Sequence, residues 1–218
     1  MTDNVQPGAA NKPLSRVYAT PLYRHVWPEV AQTNRDLSRL VLSRMPVASM
    51  TAQRSNVGGW HSEPDLLSWG GTGVAQLGQW IGQAIKSVTL ETSGLTTVPG
   101  SFGIWAWANV LQPGGYNTVH CHDRFAWAGV YYVETGTDDP ANPLSGLFEF
   151  VDPRSARGAL PIPGDPFRET IRIRPRPGLM VLFPGWLNHF VHPHTGGGPR
   201  IAIAFNIAYK EPEGPTVV

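Results

Sequence analysis

The feature that most constrains this fold is a series of short apolar runs, separated by Gly-, Pro- and Asp-rich turns, that fills the chain after Gly100. About eight such runs follow one another, among them GIWAWANVL, AWAGVYYVE, GLFEFVD, GLMVLFP and RIAIAFNIAY. Runs of this length, rich in β-branched and aromatic residues, are typical of strands joined by tight turns. Because no helical pattern separates them, they predict a closed or double-sheet architecture over about residues 100–210, most simply a jelly roll with two Greek keys.

Two helices are predicted ahead of these strands. From Pro28 to Arg44 the apolar residues share one helical stripe, and Pro28 suits a first helical turn. A second stripe covers about Val74 to Val88. We expect both helices to buttress one face of the sheet, so the predicted fold class is mainly β, or α+β by count.

The other N-terminal segments carry weaker signals. RVYATPLYRHVW contains Pro21 and fits an edge strand, whereas residues 53–69 are rich in turn formers and predict an irregular loop. Residues 1–14 are polar and predict a disordered tail. The remaining residues, 15–218, are then expected to form one domain.

The charge balance, the cysteine content and the absence of targeting patterns limit the partners, the disulfides and the location that are expected. Lys plus Arg number 17 against 16 Asp plus Glu, so no field that would attract nucleic acid or an anionic membrane is expected. Cys121 is the single cysteine, which excludes an intramolecular disulfide. The sequence shows neither a secretory leader pattern nor a membrane-spanning run, so a cytoplasmic location is predicted. A homodimer stays open as the oligomeric state.

A pair of histidines, His120 and His122, precedes the run AWAGVYYVE. Residues two apart in a strand point to the same side, so the two imidazoles can chelate one metal ion. Cys121 and Asp123 have the opposite parity, and Asp123 would need a bulge to reach the same ion. The alternative is a chance surface pair without metal.

Further histidines lie near the C-terminus. His189 begins a strand-like run after a turn at Pro184, and it is the predicted third ligand of a facial metal site. Its alternative is a hydrogen-bonded core histidine. His192 and His194 are predicted to be surface residues, because the first has the opposite parity and the second lies in a Gly-rich loop.

The last run, RIAIAFNIAY, predicts a strand with two different faces. One face is large and apolar, and the other carries Arg200, Ala202, Ala204 and Asn206. A guanidinium beside small residues inside a barrel is costly unless it meets an anion, and a carboxylate is the natural partner. The alternative is a hydrated arginine at the barrel mouth.

Residues near these positions could support the same site. Of Tyr131 and Tyr132, one is expected to face the cavity and donate its phenol to an anion, with core packing as the alternative. Asn117 and Asn206 could orient a ligand or water. Trp105 and Trp107 share a face of the first core strand, where core filling is favoured over a substrate pocket.

Together these residues resemble the 2-oxoglutarate- and Fe(II)-dependent oxygenase superfamily, whose core is a double-stranded β-helix. That superfamily carries His-x-Asp or His-x-Glu, then a distal His, and an Arg or Lys on the following strand. The segments GVYYV and FPGWLNH are similar to those of its prolyl-hydroxylase-like branch of small 2OG-Fe(II) oxygenases. The resemblance covers about residues 100–210.

The resemblance implies an enzyme that binds Fe(II) through His120, His122 and His189, with 2-oxoglutarate held by Arg200. Oxidative decarboxylation of 2-oxoglutarate would be coupled to hydroxylation of an unknown small-molecule or peptide substrate. Tyr132, Asn117 and Asn206 are the predicted helpers in cosubstrate binding.

The departure from the superfamily is His122, which stands where a carboxylate is usual. Three neutral imidazoles would leave more positive charge on the ion and favour a dianionic keto acid, with Asp123 as the alternative ligand. Two other functions stay open. A cupin-like three-histidine metalloenzyme would not use 2-oxoglutarate or require Arg200, and a non-catalytic β-sandwich module would bind only structural metal or none.

Overall fold

The computed structural model describes residues 18–45, 55–154, 163 and 170–211. The predicted tail, residues 1–14, lies outside these ranges, and the single-domain assignment stays a prediction. Nine strands and two α-helices occur in the described ranges. The strands are β1 (Tyr23–Val26), β2 (Asn56–His61), β3 (Ser101–His120), β4 (Trp127–Thr135), β5 (Phe148–Phe150), β6 (Arg172–Ile173), β7 (Leu179–Pro184), β8 (His189–Val191) and β9 (Arg200–Lys210).

These strands form one antiparallel sheet in the order β1-β7-β4-β9-β3-β8-β5-β6, and β2 pairs with β3 beside this path. β1 lies at one end of the order, so the predicted edge strand is confirmed. Neighbours in the sheet are seldom neighbours in sequence, as expected for Greek-key connections. The mainly β prediction with two helices is therefore confirmed.

The number of strands after Gly100 was predicted as about eight, and the structure has seven in its described part. The difference arises at Pro113, Gly114 and Gly115. These residues form one of the Gly- and Pro-rich segments expected to separate two strands, but they lie inside the 20-residue strand β3. Opposite them the register with β2 shifts, with Val57 paired to Tyr116 but Gly59 paired to Leu111. The turn-forming residues thus accommodate a bulge instead of reversing the chain.

β2 lies where an irregular loop was predicted, so that prediction was wrong for residues 56–61. The strand depends on contacts distant in sequence, because its Gly58–Gly59 backbone packs directly on β3. A Cβ atom on Gly59 would lie 2.6 Å from the carbonyl oxygen of Val110. Glycine permits this approach, and the pairing with β3 then overrides the weak local preference of the sequence.

The two helices are α1 (Ala31–Arg44) and α2 (Thr72–Ser93). α1 begins three residues after Pro28, and α2 extends beyond both predicted ends. No helix in the described residues is long and apolar enough to cross a membrane. The predicted stripe of α2 is buried throughout, and it packs with α1 against one face of β3, β4, β7 and β9 in a single cluster. The buttressing role predicted for the helices is confirmed.

The two faces of the central strands enter two different hydrophobic clusters. In β4, Tyr131 and Val133 pack toward the helices, whereas Val130 and Tyr132 belong to a second cluster on the opposite side. This alternation follows from the two-residue period of a strand. The second cluster forms the interior of the barrel and surrounds the cavity described next.

Candidate functional site

Three of the predicted ligands come together where β3 ends and β8 begins. His120 is the last residue of β3, and it is directly paired with His189, the first residue of β8. His122 lies two residues beyond the end of β3, so the prediction that the strand continues through both histidines was wrong. The His122 backbone N–H donates to the carbonyl oxygen of Gly185 over 2.7 Å, which holds the segment beside the β7–β8 turn.

Glycine is required at position 185 for this approach. A Cβ atom there would lie 2.5 Å from the carbonyl oxygen of His122 and would also collide with the carbonyl of Phe125. The turn between β7 and β8 therefore presses against the loop that carries His122. In this way the second histidine reaches the cluster without belonging to the strand.

The three imidazoles are mutually close. One potential ligand atom from each of His120, His122 and His189 lies within 4.8 Å of the other two. Ring centroids are 4.3 Å apart for His120 and His189, and 5.1 and 5.3 Å for the two pairs that include His122. Three imidazoles in this arrangement suit a first-row transition metal with open positions on the far side.

Backbone hydrogen bonds orient two of these rings. The Nδ1 atom of His120 lies 2.8 Å from the carbonyl oxygen of Thr118, and that of His189 lies 2.8 Å from the carbonyl oxygen of Leu187. A carbonyl only accepts, so in each ring Nδ1 carries the hydrogen and Nε2 keeps its lone pair. Both rings therefore present a metal-binding nitrogen in the required tautomer.

Burial keeps the cluster neutral. It lowers the pKa of His189 to about 3 and that of His122 to about 4, and the mutual repulsion of the rings acts in the same direction. The pKa of His120 is also lowered, mainly by burial. At neutral pH all three imidazoles are available as ligands without first losing a proton.

A cavity of about 240 Å³ adjoins the histidines. Its walls include the small-residue face of β9, so Arg200, Ala202, Ala204 and Asn206 lie where the alternation of the strand predicts. Arg200 is only 3% exposed. This excludes the alternative of a hydrated arginine at the barrel mouth.

Arg200 has no carboxylate partner among the described residues, and its Nε atom is buried without a hydrogen bond there. Its guanidinium carbon lies 5.1 Å from the centroid of the Tyr132 ring. The Tyr132 hydroxyl is also buried, and the Arg200 guanidinium is close enough to act on it by charge and by hydrogen bonding. Burial raises the pKa of Tyr132 to about 12, against the influence of the Arg200 charge, so the phenol stays protonated and can donate.

Tyr131 has a structural role instead. Its hydroxyl donates to the Asn34 side chain of α1 over 2.7 Å, on the helix side of the sheet. Of the two tyrosines, it is Tyr132 that shares the side of Arg200, as the sequence prediction required of one of them. Asn117 and Asn206 are both buried and line the cavity.

Asp123 lies outside the cluster. It is exposed, and the group of ligand atoms found in the described ranges contains the three histidines and no carboxylate. The negative charge of Asp123 still acts on the site at longer range, because it opposes the lowering of the pKa of His122.

The structure corrects the predicted exposure of His194, and it adds His61 to the residues that line the cavity. His194 was predicted at the surface but is 1% exposed, with Nε2 donating to the carbonyl oxygen of Gly198 over 2.9 Å. His192 is partly buried and lies 2.8 Å from Glu149. His61, placed in a loop by the sequence interpretation, lines the cavity and stacks on Trp107 with a centroid distance of 5.4 Å.

The two tryptophans of β3 have different surroundings although they share a strand face. Trp107 is buried and lines the cavity, and its ring centroid lies 5.9 Å from that of His122. Trp105 is 38% exposed and contacts Phe125. The sequence predicted that the two tryptophans share a strand face. It did not predict that β2 pairs with β3, which brings His61 to Trp107.

Comparison with known proteins shows what this chain is similar to. No curated protein sequence matched the chain. Residues 105–206 match a family model described as "Putative 2OG-Fe(II) oxygenase". The matched segment contains all three clustered histidines and Arg200.

Solved structures share the fold at low identity. A prolyl-4-hydroxylase from Pseudomonas putida is 15% identical, with a TM-score of 0.55 over 87% of this chain and 92% of that one. A prolyl hydroxylase from Trichoplax adhaerens is 11% identical, with a TM-score of 0.56 over 86% and 83%. HygX from Streptomyces hygroscopicus, solved with nickel and 2-oxoglutarate bound, is 15% identical, with a TM-score of 0.51 over 89% and 83%.

These similarities confirm the jelly-roll prediction. The identities are low, so the solved structures show the shared fold alone, and the similarity to the family rests on the matched sequence segment. Residues 105–206 of this chain are therefore similar to the 2OG-Fe(II) oxygenase family.

Proposed function

We propose that this protein is a 2-oxoglutarate- and Fe(II)-dependent dioxygenase that hydroxylates a small-molecule or peptide substrate. The observation that carries the proposal is a cluster of three neutral histidines sharing one cavity with a buried arginine that has no carboxylate partner in the described residues. A metal site alone would explain the histidines. The buried guanidinium of Arg200, which has no carboxylate partner in the described residues, also indicates a binding site for an anion.

The donor set fits a ferrous ion. His120 and His189 present Nε2 lone pairs from two neighbouring strands, and His122 approaches from the loop beyond β3. Imidazoles suit Fe(II), and an ion held by only three protein ligands would be able to take a keto acid as a further ligand. When bound, Fe(II) with 2-oxoglutarate supplies the oxygen chemistry, in which O2, 2-oxoglutarate and substrate give succinate, carbon dioxide and hydroxylated substrate.

Arg200 is the proposed anchor for the distal carboxylate of 2-oxoglutarate. A buried guanidinium without a counter-ion is destabilising by several kcal/mol, and a carboxylate arriving as ligand removes that penalty through charge-assisted hydrogen bonds. The Tyr132 hydroxyl can donate to the same carboxylate, because it is protonated and lies on the same side of β4 and β9. Asn117 is proposed as a further polar contact at the cavity wall.

The apolar walls of the cavity limit access of water. Phe148, Phe183 and Val191 line it on the side of His189, and the ring centroid of Phe183 lies 4.7 Å from that of His189. In a dry site the pairing of a carboxylate with Arg200 is stronger than it would be in water. The same enclosure protects a reactive site from unproductive hydrolysis and side reactions.

The direct test is anaerobic addition of 2-oxoglutarate to the Fe(II)-loaded protein. Chelation of the keto acid is expected to produce a weak visible charge-transfer band, and admission of oxygen is expected to convert 2-oxoglutarate slowly to succinate. His189→Ala should abolish both signals. Bound iron without either signal would favour a three-histidine metalloenzyme that does not use 2-oxoglutarate, and absence of metal uptake would favour a non-catalytic module.

Location and partners are proposed from the sequence. A near-balanced charge, 17 basic against 16 acidic residues, supports a protein that does not bind nucleic acid or membranes. A cytoplasmic location is proposed, and fractionation of cells expressing the native protein would test it. The homodimer remains a proposal that sedimentation analysis would decide.

A further inference from the structure

His122 differs from the other two clustered histidines in what faces its Nδ1 atom. His120 and His189 have backbone carbonyls there, which fix the hydrogen on Nδ1. The Nδ1 atom of His122 instead lies 3.3 Å from the side-chain amide of Asn206. An amide can present either an N–H donor or a carbonyl acceptor, so Asn206 decides which nitrogen of His122 carries the hydrogen.

The two orientations of the amide have opposite consequences for metal binding. If Nδ2 of Asn206 donates to Nδ1, the neutral His122 must carry its hydrogen on Nε2, and no lone pair is available there for an ion. If Oδ1 accepts from Nδ1–H, the lone pair of Nε2 is free. Only the second orientation gives His122 the tautomer that carbonyls impose on His120 and His189.

The surroundings of Asn206 also favour this second orientation. Asn206 is 6% exposed, and its Oδ1 atom is buried without a partner among the described residues when Nδ2 faces His122. A half-turn of the amide exchanges Oδ1 and Nδ2 with almost no change in shape. It pairs Oδ1 with the imidazole and leaves a donor, Nδ2, on a residue that lines the cavity, where an oxygen-rich ligand can accept from it.

We propose that Asn206 is a positioning residue, which accepts a hydrogen bond from Nδ1–H of His122 and thereby holds Nε2 ready for the metal. This inference rests on the proposed function, because it assigns the partner of one of the three proposed ligands. It differs from the sequence prediction for Asn206, which concerned contact with cosubstrate or water. Asn206 itself touches no metal.

The tautomer can be measured without metal. Long-range proton–nitrogen correlation spectra of the metal-free protein distinguish imidazoles protonated at Nδ1 from those protonated at Nε2. His122 is expected in the Nδ1–H form in the wild type, and it should lose that preference in Asn206→Leu. An Nε2–H tautomer in the wild type would overturn the proposal.

Metal affinity gives a second readout, with Co(II) as the probe and its visible absorption as the signal. Asn206→Leu is expected to weaken Co(II) binding about 10–100-fold, the effect typical of losing a ligand's hydrogen-bond partner. Asn206→Asp retains an acceptor and should recover most of that loss. Asn109→Leu is the matched control, because Asn109 lines the same cavity and its Oδ1 atom has no hydrogen-bond partner in the described ranges.

The background of His122→Ala separates hydrogen bonding from charge. There Asn206→Leu should cause no further loss of Co(II) affinity, and any gain from Asn206→Asp measures the added charge alone. Equal losses from Asn206→Leu with and without His122 would overturn the proposal. A wild type with the Nδ1–H tautomer that binds no Co(II) would instead overturn the proposed function and leave the Asn206–His122 hydrogen bond intact.

Discussion

The two faces of β9 differ in what their side chains do. Toward the helices, Ile201, Ile203 and Phe205 are completely buried in the larger hydrophobic cluster. Toward the cavity, the same strand presents Arg200 and Asn206, whose buried Nε and Oδ1 atoms lack hydrogen-bond partners in the described part of the chain. Burial of apolar area on the helix side stabilises the fold, whereas burial of polar atoms without partners on the cavity side destabilises it.

This contrast indicates how a single strand can serve folding and chemistry together. Because neighbouring residues point to opposite sides, a change on the helix face can alter stability without touching the cavity, and the reverse also holds. On β9, the unpartnered atoms of Arg200 and Asn206 lie on the face beside the histidines. Buried polar groups without partners are rare in folded proteins, and a bound ligand is one way to complete their hydrogen bonds.

The largest effect is expected from His122→Ala on the cavity side. Loss of one of three proposed ligands should weaken metal binding by at least about 100-fold, more than the loss of a ligand's hydrogen-bond partner. Calorimetric titration of Co(II) would measure it. Asp123→Ala is the matched control, and we expect it to bind metal like the wild type. The opposite result, loss in Asp123→Ala and retention in His122→Ala, would make Asp123 the ligand.

Arg200→Met should weaken the binding of the cosubstrate and leave the affinity for metal unchanged. The affinity for 2-oxoglutarate is expected to fall about 100-fold, because a buried carboxylate loses its charged partner. The metal-free variant should be as stable as the wild type or more stable, since an uncompensated buried cation has been removed. Isothermal titration and urea unfolding would measure the two quantities. Exposed Arg176→Met serves as the control, and equal loss of metal and cosubstrate would indicate a structural role for Arg200.

Ile203→Ala tests the helix face. Ile203 is fully buried, so its truncation should lower the free energy of unfolding by about 2–4 kcal/mol. Metal affinity of the folded protein should stay unchanged. Urea unfolding followed by Co(II) titration would check both. A loss of metal affinity as large as that in His122→Ala would show that the two faces are not independent.

The sequence predicted much of the assignment of residues to the helix side or the cavity side of the sheet. The two-residue period of RIAIAFNI assigned Ile203 and Arg200 to opposite faces, and the spacing of the apolar residues in α2 predicted its buried stripe. Local periodicity suffices in these cases because each residue's environment follows from its own element.

What the sequence could not predict depends on pairing between distant segments. His61 reaches the cavity only because β2 pairs with β3, and that pairing relies on glycines that weaken local strand preference. His122 joins the cluster from a loop, which the parity of a strand cannot describe. His194 is buried against the loop around Gly136, which is distant in the sequence. The sequence near His194 therefore gives no sign of its burial.

The smallest predicted effect is the contribution of His189, on the cavity side, to the pH dependence of stability. Burial lowers the pKa of His189 to about 3, well below the value of about 6.5 for an unfolded chain. Between these two values the unfolded chain binds more protons, so the free energy of unfolding of the metal-free protein falls as pH falls through this window. From pH 7 to 5.5 the loss should be about 1 kcal/mol for this histidine. Urea unfolding of wild type and His189→Gln at both pH values would measure it. The variant should lose less stability than the wild type, whereas Ile203→Ala should lose the same amount, and equal losses in all three proteins would place the titrating groups elsewhere.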